Sequence, residues 1–145
     1  MNMHEIIQSV RGLSGALVII PEEGSAFPEL AWGDAFFYYA PDGRMPERTQ
    51  PYGTIITKDY PDDATSALGP GRFRVNIHVG TERADPLVAA GTELTETDTF
   101  FRHPVYGDAG WVCVIAPAER TTPTMIELLQ SAHESARLRA VRRAR

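Results

Sequence analysis

RFRVNIHV, residues 72–79, is the stretch that decides the fold, because its polar and apolar residues alternate without a break. Successive side chains of a β-strand point to opposite faces of the sheet, so the four apolar residues share one face and the four polar residues share the other. The stretch therefore predicts a half-buried strand of an antiparallel sheet, with the hydrophobic core on one side of it.

The residues around this strand predict further strands and two terminal helices. Apolar side chains spaced like one helical face predict a helix over 2–13, and a Thr-Pro start predicts another from residue 122. Runs rich in branched or aromatic residues predict strands over 16–20, 30–40, 52–60 and 110–116, with a long polar loop over 61–71. Asp85-Pro86 predicts the start of a short helix that Gly91 ends, and residues 92–106 are predicted to be mostly loop.

This order of elements predicts one α+β domain. Successive strands joined by tight turns, with few helices between them, favour an antiparallel sheet over a doubly wound parallel one. We therefore expect an antiparallel sheet of about five strands with the N- and C-terminal helices packed on one face. Residues 1–136 are expected to form the domain, and residues 137–145 an Arg-rich C-terminal helix end or tail.

Charge is distributed unevenly along the chain. The net charge is −5, but five arginines lie in the last nine residues, and without them nine basic residues stand against 19 acidic ones. An acidic body repels a phosphate backbone, so nucleic acid is an unfavoured partner, although the basic tail could hold it.

Localisation follows from three further features of the sequence. A single cysteine, Cys113, allows no disulfide within the chain and fits a reducing compartment. No apolar run has the ~18 residues of a membrane span, and the N-terminus lacks the pattern of a secretion signal. A cytoplasmic protein that makes no use of the membrane is expected.

The polar face of the 72–79 strand is the first candidate site. Arg74, Asn76 and His78 stand in line and offer a guanidinium fork, an amide and a titratable imidazole. Such a row faces a ligand cleft, a partner or water, and an ordinary solvated sheet face is the alternative. In a cleft, Arg74 and Asn76 would bind the ligand, with Arg74 holding an anionic group, and His78 would be a candidate catalytic residue.

Residues elsewhere in the chain could complete such a cleft. Four aromatic residues are candidates for its walls: Trp32, Tyr38, Tyr106 and Trp111. His103 is a candidate general acid or base, and Lys58 lies at a predicted strand end, where a rigid scaffold commonly presents binding residues. Asp34 could orient a nearby arginine or histidine, or belong only to a turn. For the others the alternative is structural: core packing, a satisfied histidine or a solvated strand end.

Several chemistries lack the residues they need. The four histidines and the cysteine show no paired spacing for a metal, so no metal site is predicted. The chain has no Gly-rich phosphate loop, no dinucleotide-binding motif and no nucleophile elbow, so no cofactor is predicted. Cys113 lies within an apolar strand and is predicted to be a buried, unreactive thiol.

Four segments in this order resemble an uncharacterised family common in actinobacteria, the domain of unknown function 6194: AWGDAFFYYAPDGR (31–44), TIITKDYP (54–61), GRFRVNIHVG (71–80) and HPVYGDAGWVCVIAP (103–117). More distantly, the chain resembles the MmcQ/YjbR-like fold, through Trp-Gly near a strand start, Arg-x-Asn within a strand and His-x-x-Tyr before a Trp-containing strand. That resemblance implies an antiparallel sheet with helices on one side. For some members it implies DNA binding or a place in antibiotic gene clusters. It assigns no residue a catalytic role.

Three hypotheses about function follow. The favoured one is a small-molecule binding protein or small cofactor-independent enzyme, in specialised metabolism or self-resistance. The alternative is a nucleic-acid-binding module that uses the sheet arginines and the basic tail. The third is an interaction protein without a pocket, such as a homodimer formed through the sheet face.

Overall fold

The α+β fold predicted from the sequence is confirmed by the computed structural model, which describes residues 1–88 and 91–144. The described residues form one antiparallel sheet of six strands in the order β1-β2-β3-β4-β6-β5. The strands are β1 (Ala16–Ile19), β2 (Ala35–Tyr39), β3 (Gly53–Ile56), β4 (Arg74–His78), β5 (Phe100–Arg102) and β6 (Trp111–Ile115), and the helices are α1 (Met3–Arg11), α2 (Thr81–Leu87) and α3 (Thr122–Arg143).

The two long helices begin where local chemistry allows. Asn2 caps α1, since its side chain accepts from the Glu5 N–H while the Glu5 carboxylate accepts from the Asn2 N–H. The start of α3 carries Pro123 in its first turn, where a missing N–H costs nothing. The helix then continues unbroken to Arg143, so residues 137–143 are its last turns.

Three details differ from the prediction. The helix expected to start at Asp85-Pro86 begins instead at Thr81, because Gly80 adopts a φ of +88° and turns the chain out of β4 at once. Pro86 therefore lies inside α2. The loop expected over 92–106 contains β5, which the sequence hides because three residues are too few to show a period. The strand expected from residue 30 begins at Ala35, after a short 3-10 helix over Glu29–Ala31.

The main core lies between the sheet and the helices α1 and α3. Its largest fully buried members include Phe37, Ile55, Ile77 and Met125. A second, smaller apolar cluster covers the opposite face, built around Phe101 and other residues of the outer strands and loops. Both faces of β4 are consequently buried, and the expectation that this strand is only half-buried is wrong, because the loops after β3 and β5 fold back over its polar side.

Candidate functional site

Arg74 is the centre of a polar network on the face of the sheet that the long helices leave free. Its side chain is 1% exposed and forms an ion pair through Nη1 and Nη2 with the carboxylate of Asp63, in the loop after β3. Nη1 also donates to Ser66 Oγ at 2.9 Å, and Nε donates to Asn76 Oδ1 at 2.8 Å. The guanidinium thereby ties the sheet to the loop that covers it.

These bonds engage most of the donors of Arg74. A guanidinium has five N–H groups, and four of them are used by Asp63, Ser66 and Asn76. The fifth lies beside His103, whose Nε2 is 3.2 Å from Nη2. The charge of Arg74 is balanced inside the protein by Asp63, and its predicted anion-holding role stays a prediction.

Asn76 extends the network to the middle of the sheet. Its Oδ1 accepts from Arg74 Nε and lies 3.0 Å from the Cys113 thiol on β6, while its Nδ2 donates to Thr54 Oγ1 on β3 at 2.9 Å. Because Thr54 Oγ1 accepts this bond, its own hydroxyl hydrogen stays available to a ligand. Burial raises the pKa of Cys113 to about 12, so the predicted buried and unreactive thiol agrees with the structure.

His103 occupies a single protonation state at neutral pH. The backbone N–H groups of Val105 and Tyr106 both donate to its Nδ1, at 3.0 and 3.1 Å, so Nδ1 carries no proton. A neutral imidazole must then carry its proton on Nε2, which faces the Arg74–Asp63 pair at 3.2 Å from Arg74 Nη2 and 3.5 Å from Asp63 Oδ2. Burial, and after it the charge of Arg74, lowers the pKa of His103 to about 4. Both ring nitrogens are engaged, which does not favour acid–base catalysis.

A cleft opens beside this network. Two adjoining hollows, with volumes of about 200 and 190 Å³, are lined in common by Thr54, Asn76, His103 and Tyr106. Trp111 lines the first hollow, and Arg74 forms part of the wall of the second. Tyr106 is 52% exposed and forms a lip, with its ring 4.9 Å from that of His103. The loops after β3 and β5 supply the walls, and β3, β4 and β6 supply the floor.

Five of the predicted site residues therefore meet at this cleft, namely Arg74, Asn76, His103, Tyr106 and Trp111. His78 lies next to them but outside the lining. Its Nε2 is 3.0 Å from the Ala109 carbonyl oxygen, and its ring packs against Trp111. Tyr38 is buried, and burial raises its pKa, but it lines neither hollow.

Trp32 and Lys58 belong to a different part of the surface. The ammonium of Lys58 donates to the carbonyls of Leu30 and Trp32, both at 2.8 Å, and to Asp34 Oδ1 at 3.1 Å. Asp34 is fully buried and pairs with Lys58, not with the arginine or histidine expected from the sequence. Asp34 also accepts hydrogen bonds from the Thr57 backbone and hydroxyl and from the Tyr60 hydroxyl. These bonds join the start of β2 to the loop after β3.

Three residues of the site were not predicted from the sequence: Thr54, Asp63 and Ser66. Asp63 and Ser66 lie in the long polar loop, where acids and serines are ordinary and no spacing marks them. Thr54 carries a detectable signal, because antiparallel pairing sets it beside Asn76.

Among the described residues, no group of three or more histidines, cysteines or acids could hold a metal ion. None of the helices in the described part of the chain is long and apolar enough to cross a membrane.

Comparison with known proteins identifies the family alone. All 145 residues match the model of the family of unknown function DUF6194, and the chain belongs to that family. No curated protein and no solved structure matches the chain. The predicted likeness to the MmcQ/YjbR-like fold therefore stays a prediction.

Proposed function

We propose that the protein binds a small, uncharged, ring-containing molecule in the cleft beside the Arg74 network. The observation that carries the proposal is the cleft with a polar, charge-balanced base and an aromatic lip. Two hollows of about 200 Å³ suit a compact metabolite, since pockets for drug-sized ligands begin at roughly 300 Å³.

The charge of the ligand follows from the charges of the residues around the cleft. Arg74 and Asp63 neutralise each other, and His103 carries no charge at neutral pH. An anionic ligand would lose its water without gaining a counter-ion, and an uncharged ligand avoids that cost. Asp62 also lines the second hollow, but its side chain is exposed and its charge is screened by water.

The shape and polarity of the ligand follow from the groups that remain free. The exposed ring of Tyr106 offers a surface for stacking, and Trp111 also lines the first hollow. The Thr54 hydroxyl keeps its hydrogen for an acceptor such as a carbonyl. A flat ring with a carbonyl group fits these features.

Binding without catalysis is favoured because neither candidate catalytic histidine has a free ring nitrogen facing the cleft. A nucleic-acid module gains less support, since Arg74 is buried and Arg72 donates to the carbonyls of Ala67 and Thr95. We place the protein in the cytoplasm, in agreement with its lone buried thiol, and keep specialised metabolism or self-resistance as the proposed setting.

The test uses three probes that share one benzene ring and a similar size but carry different charges: benzamide is neutral, benzoate is an anion and benzylamine is a cation. The two tryptophans let the sites be separated, because Trp111 lines the cleft and Trp32 does not. In a Trp32→Phe variant, benzamide should change the fluorescence of Trp111 at lower concentration than either ion. Thr54→Val should weaken benzamide binding about tenfold, the cost of one well-formed hydrogen bond. Equal binding of all three probes, or tighter binding of benzoate, would refute a charge-neutral site.

A further inference from the structure

Exposed apolar side chains are concentrated in three places on the described surface. The large ones are Phe27, Leu30, Met45, Val105, Tyr106, Leu138 and Val141. Val105 and Tyr106 belong to the ligand cleft. The remaining five fall into two groups of opposite charge, and grouped apolar exposure with a polar rim is typical of an interaction surface.

The first group forms an acidic groove, defined by apolar walls from Ile20, Pro21, Leu30 and Trp32 and by a rim of three glutamates. The groove has a volume of about 890 Å³, and its glutamates are Glu22, Glu23 and Glu29. Lys58 reaches the floor, but Asp34 balances its charge. Among the described residues, the three glutamates have no ion-pair partner, so the groove is negative as well as apolar.

The second group forms a basic end, defined by the last turns of α3 together with Met45. Leu138 and Val141 are 46% and 39% exposed there, on a helix segment that also carries Arg139, Arg142 and Arg143. Burial and the neighbouring charges of Arg143 and Arg142 lower the pKa of Arg139, which shows that these arginines repel one another. Asp42 and Glu47 line the hollow beside Arg143, together with Arg44, so three arginines of the helix still outnumber these acids. A basic and apolar segment is the complement that the acidic groove requires.

One chain cannot bring these two surfaces together. The acidic groove adjoins the start of β2 at Trp32 and Gly33, whereas the basic end contacts Tyr39 and Ala40 at the other end of that strand. The five extended residues of β2 lie between them and span roughly 17 Å. The basic end must therefore meet the acidic groove of another molecule.

The edge of the sheet beside these surfaces is open. β1 is an edge strand with the apolar sequence ALVI, and no charge or proline protects it. The Ala40 N–H donates to the Gly15 carbonyl oxygen, so Gly15 and Ala40 form a hydrogen-bonded pair. Hydrogen-bonded and non-hydrogen-bonded pairs alternate along antiparallel strands, so the N–H and carbonyl of Val18, three residues further on, point away from β2. The other edge, β5, is only three residues long and carries the Arg102–Asp85 ion pair.

We propose that two copies of the chain form a twofold dimer by antiparallel pairing of their β1 edges, with the basic end of each protomer seated on the acidic groove of its partner. Antiparallel pairing places the end of one β1 beside the start of the other. Because the acidic groove adjoins the end of β1 and the basic end adjoins its start, both charge contacts form at once. The contact closes on itself and does not propagate into a filament.

The first experiment measures mass in solution by light scattering after gel filtration. The wild-type protein should elute with twice the mass of the 16.0 kDa chain. Val18→Pro removes the outward N–H while leaving the bonds to β2, so it should elute at 16.0 kDa with an unchanged circular dichroism spectrum. Val18→Thr keeps the N–H and should stay dimeric. A monomeric wild-type protein at high micromolar concentration would overturn the proposal.

The second experiment swaps charges and keeps the proposal testable if the proline variant misfolds. One variant carries Glu22→Lys, Glu23→Lys and Glu29→Lys, and the other carries Arg139→Glu, Arg142→Glu and Arg143→Glu. Each alone should be monomeric, because like charges then face each other, and an equimolar mixture should be dimeric. If each variant dimerises alone as the wild type does, or the mixture stays monomeric, the assignment of the interface is wrong.

Discussion

Replacing Asp63 by leucine should reveal how much of the fold depends on the buried ion pair. The change leaves the Arg74 guanidinium, in a side chain that is 1% exposed, without a counter-ion and with two unused donors. Breaking a buried pair from one side costs about 3–5 kcal/mol in the free energy of unfolding, most of it from the charge left behind. Arg74→Met should cost less, about 2–3 kcal/mol, because the Asp63 carboxylate is 8% exposed and can regain water.

The double variant provides the decisive comparison. With both charges gone, apolar side chains of similar volume fill the space, so Asp63→Leu/Arg74→Met should be more stable than Asp63→Leu alone. The coupling free energy between the two positions should be at least about 2 kcal/mol.

Urea denaturation, monitored by circular dichroism, measures the free energy of unfolding of each single variant and of the double variant. Asp62→Leu is the matched control, since it makes the same change one residue away at an exposed side chain. If Asp63→Leu leaves no folded baseline, Asp63→Asn offers a milder loss of the same charge. A cost for Asp63→Leu that equals that of Asp62→Leu would refute the account of the network given above.

Three further predictions concern pH, thiol chemistry and the second buried acid. The pKa of His103 is about 4 in the folded protein, below its ordinary value near 6.5, so unfolding takes up a proton and stability should fall by up to about 3 kcal/mol as pH drops from 6.5 to 4. A His103→Gln variant should show a flatter profile in thermal melts, and an unchanged slope would count against the neutral tautomer. Cys113 should resist iodoacetamide in the folded protein and react only in denaturant, as mass spectrometry can follow. Asp34→Asn keeps the oxygen that accepts from Thr57 but places an amide against the Tyr60 hydroxyl, so it should cost about 1–3 kcal/mol, with little from partly exposed Lys58; a change below about 0.5 kcal/mol in urea would refute the structural role.

The fold was largely predictable because local pattern and global topology agree. The alternation over 72–79 and the helical spacing of apolar residues over 2–13 both arise because one face of the element packs against the core. The structure contains both elements, as β4 and α1. Prediction failed where the cause is not local. Gly80, with its positive φ, starts α2 at Thr81, and a proline that usually begins a helix lies inside it instead.

The site was predictable in part for the same reason. Arg74 and Asn76 share a strand face, and His103, Tyr106 and Trp111 stand near a strand that pairs with β4, so register alone brings these residues near one another. The partners of Arg74 could not be predicted, because Asp63 and Ser66 reach it through a loop whose path is set by tertiary packing. Trp32 and Lys58 were grouped with the cleft only because nothing in the sequence shows which end of the sheet a residue occupies.

This loop path also decides what Arg74 can do. On an open sheet face, a guanidinium beside an amide and an imidazole would be an anion site, as the sequence suggests. Once the loop delivers Asp63, the same guanidinium has its charge balanced and most of its donors engaged, so we expect it to contribute little to anion binding. The polar groups that remain for a ligand include the Thr54 hydroxyl, one strand away, and the Gln50 amide and Asp62 carboxylate at the lining. Selectivity in this cleft therefore rests on these groups and on aromatic surface, while the Arg74–Asp63 pair holds the walls in place.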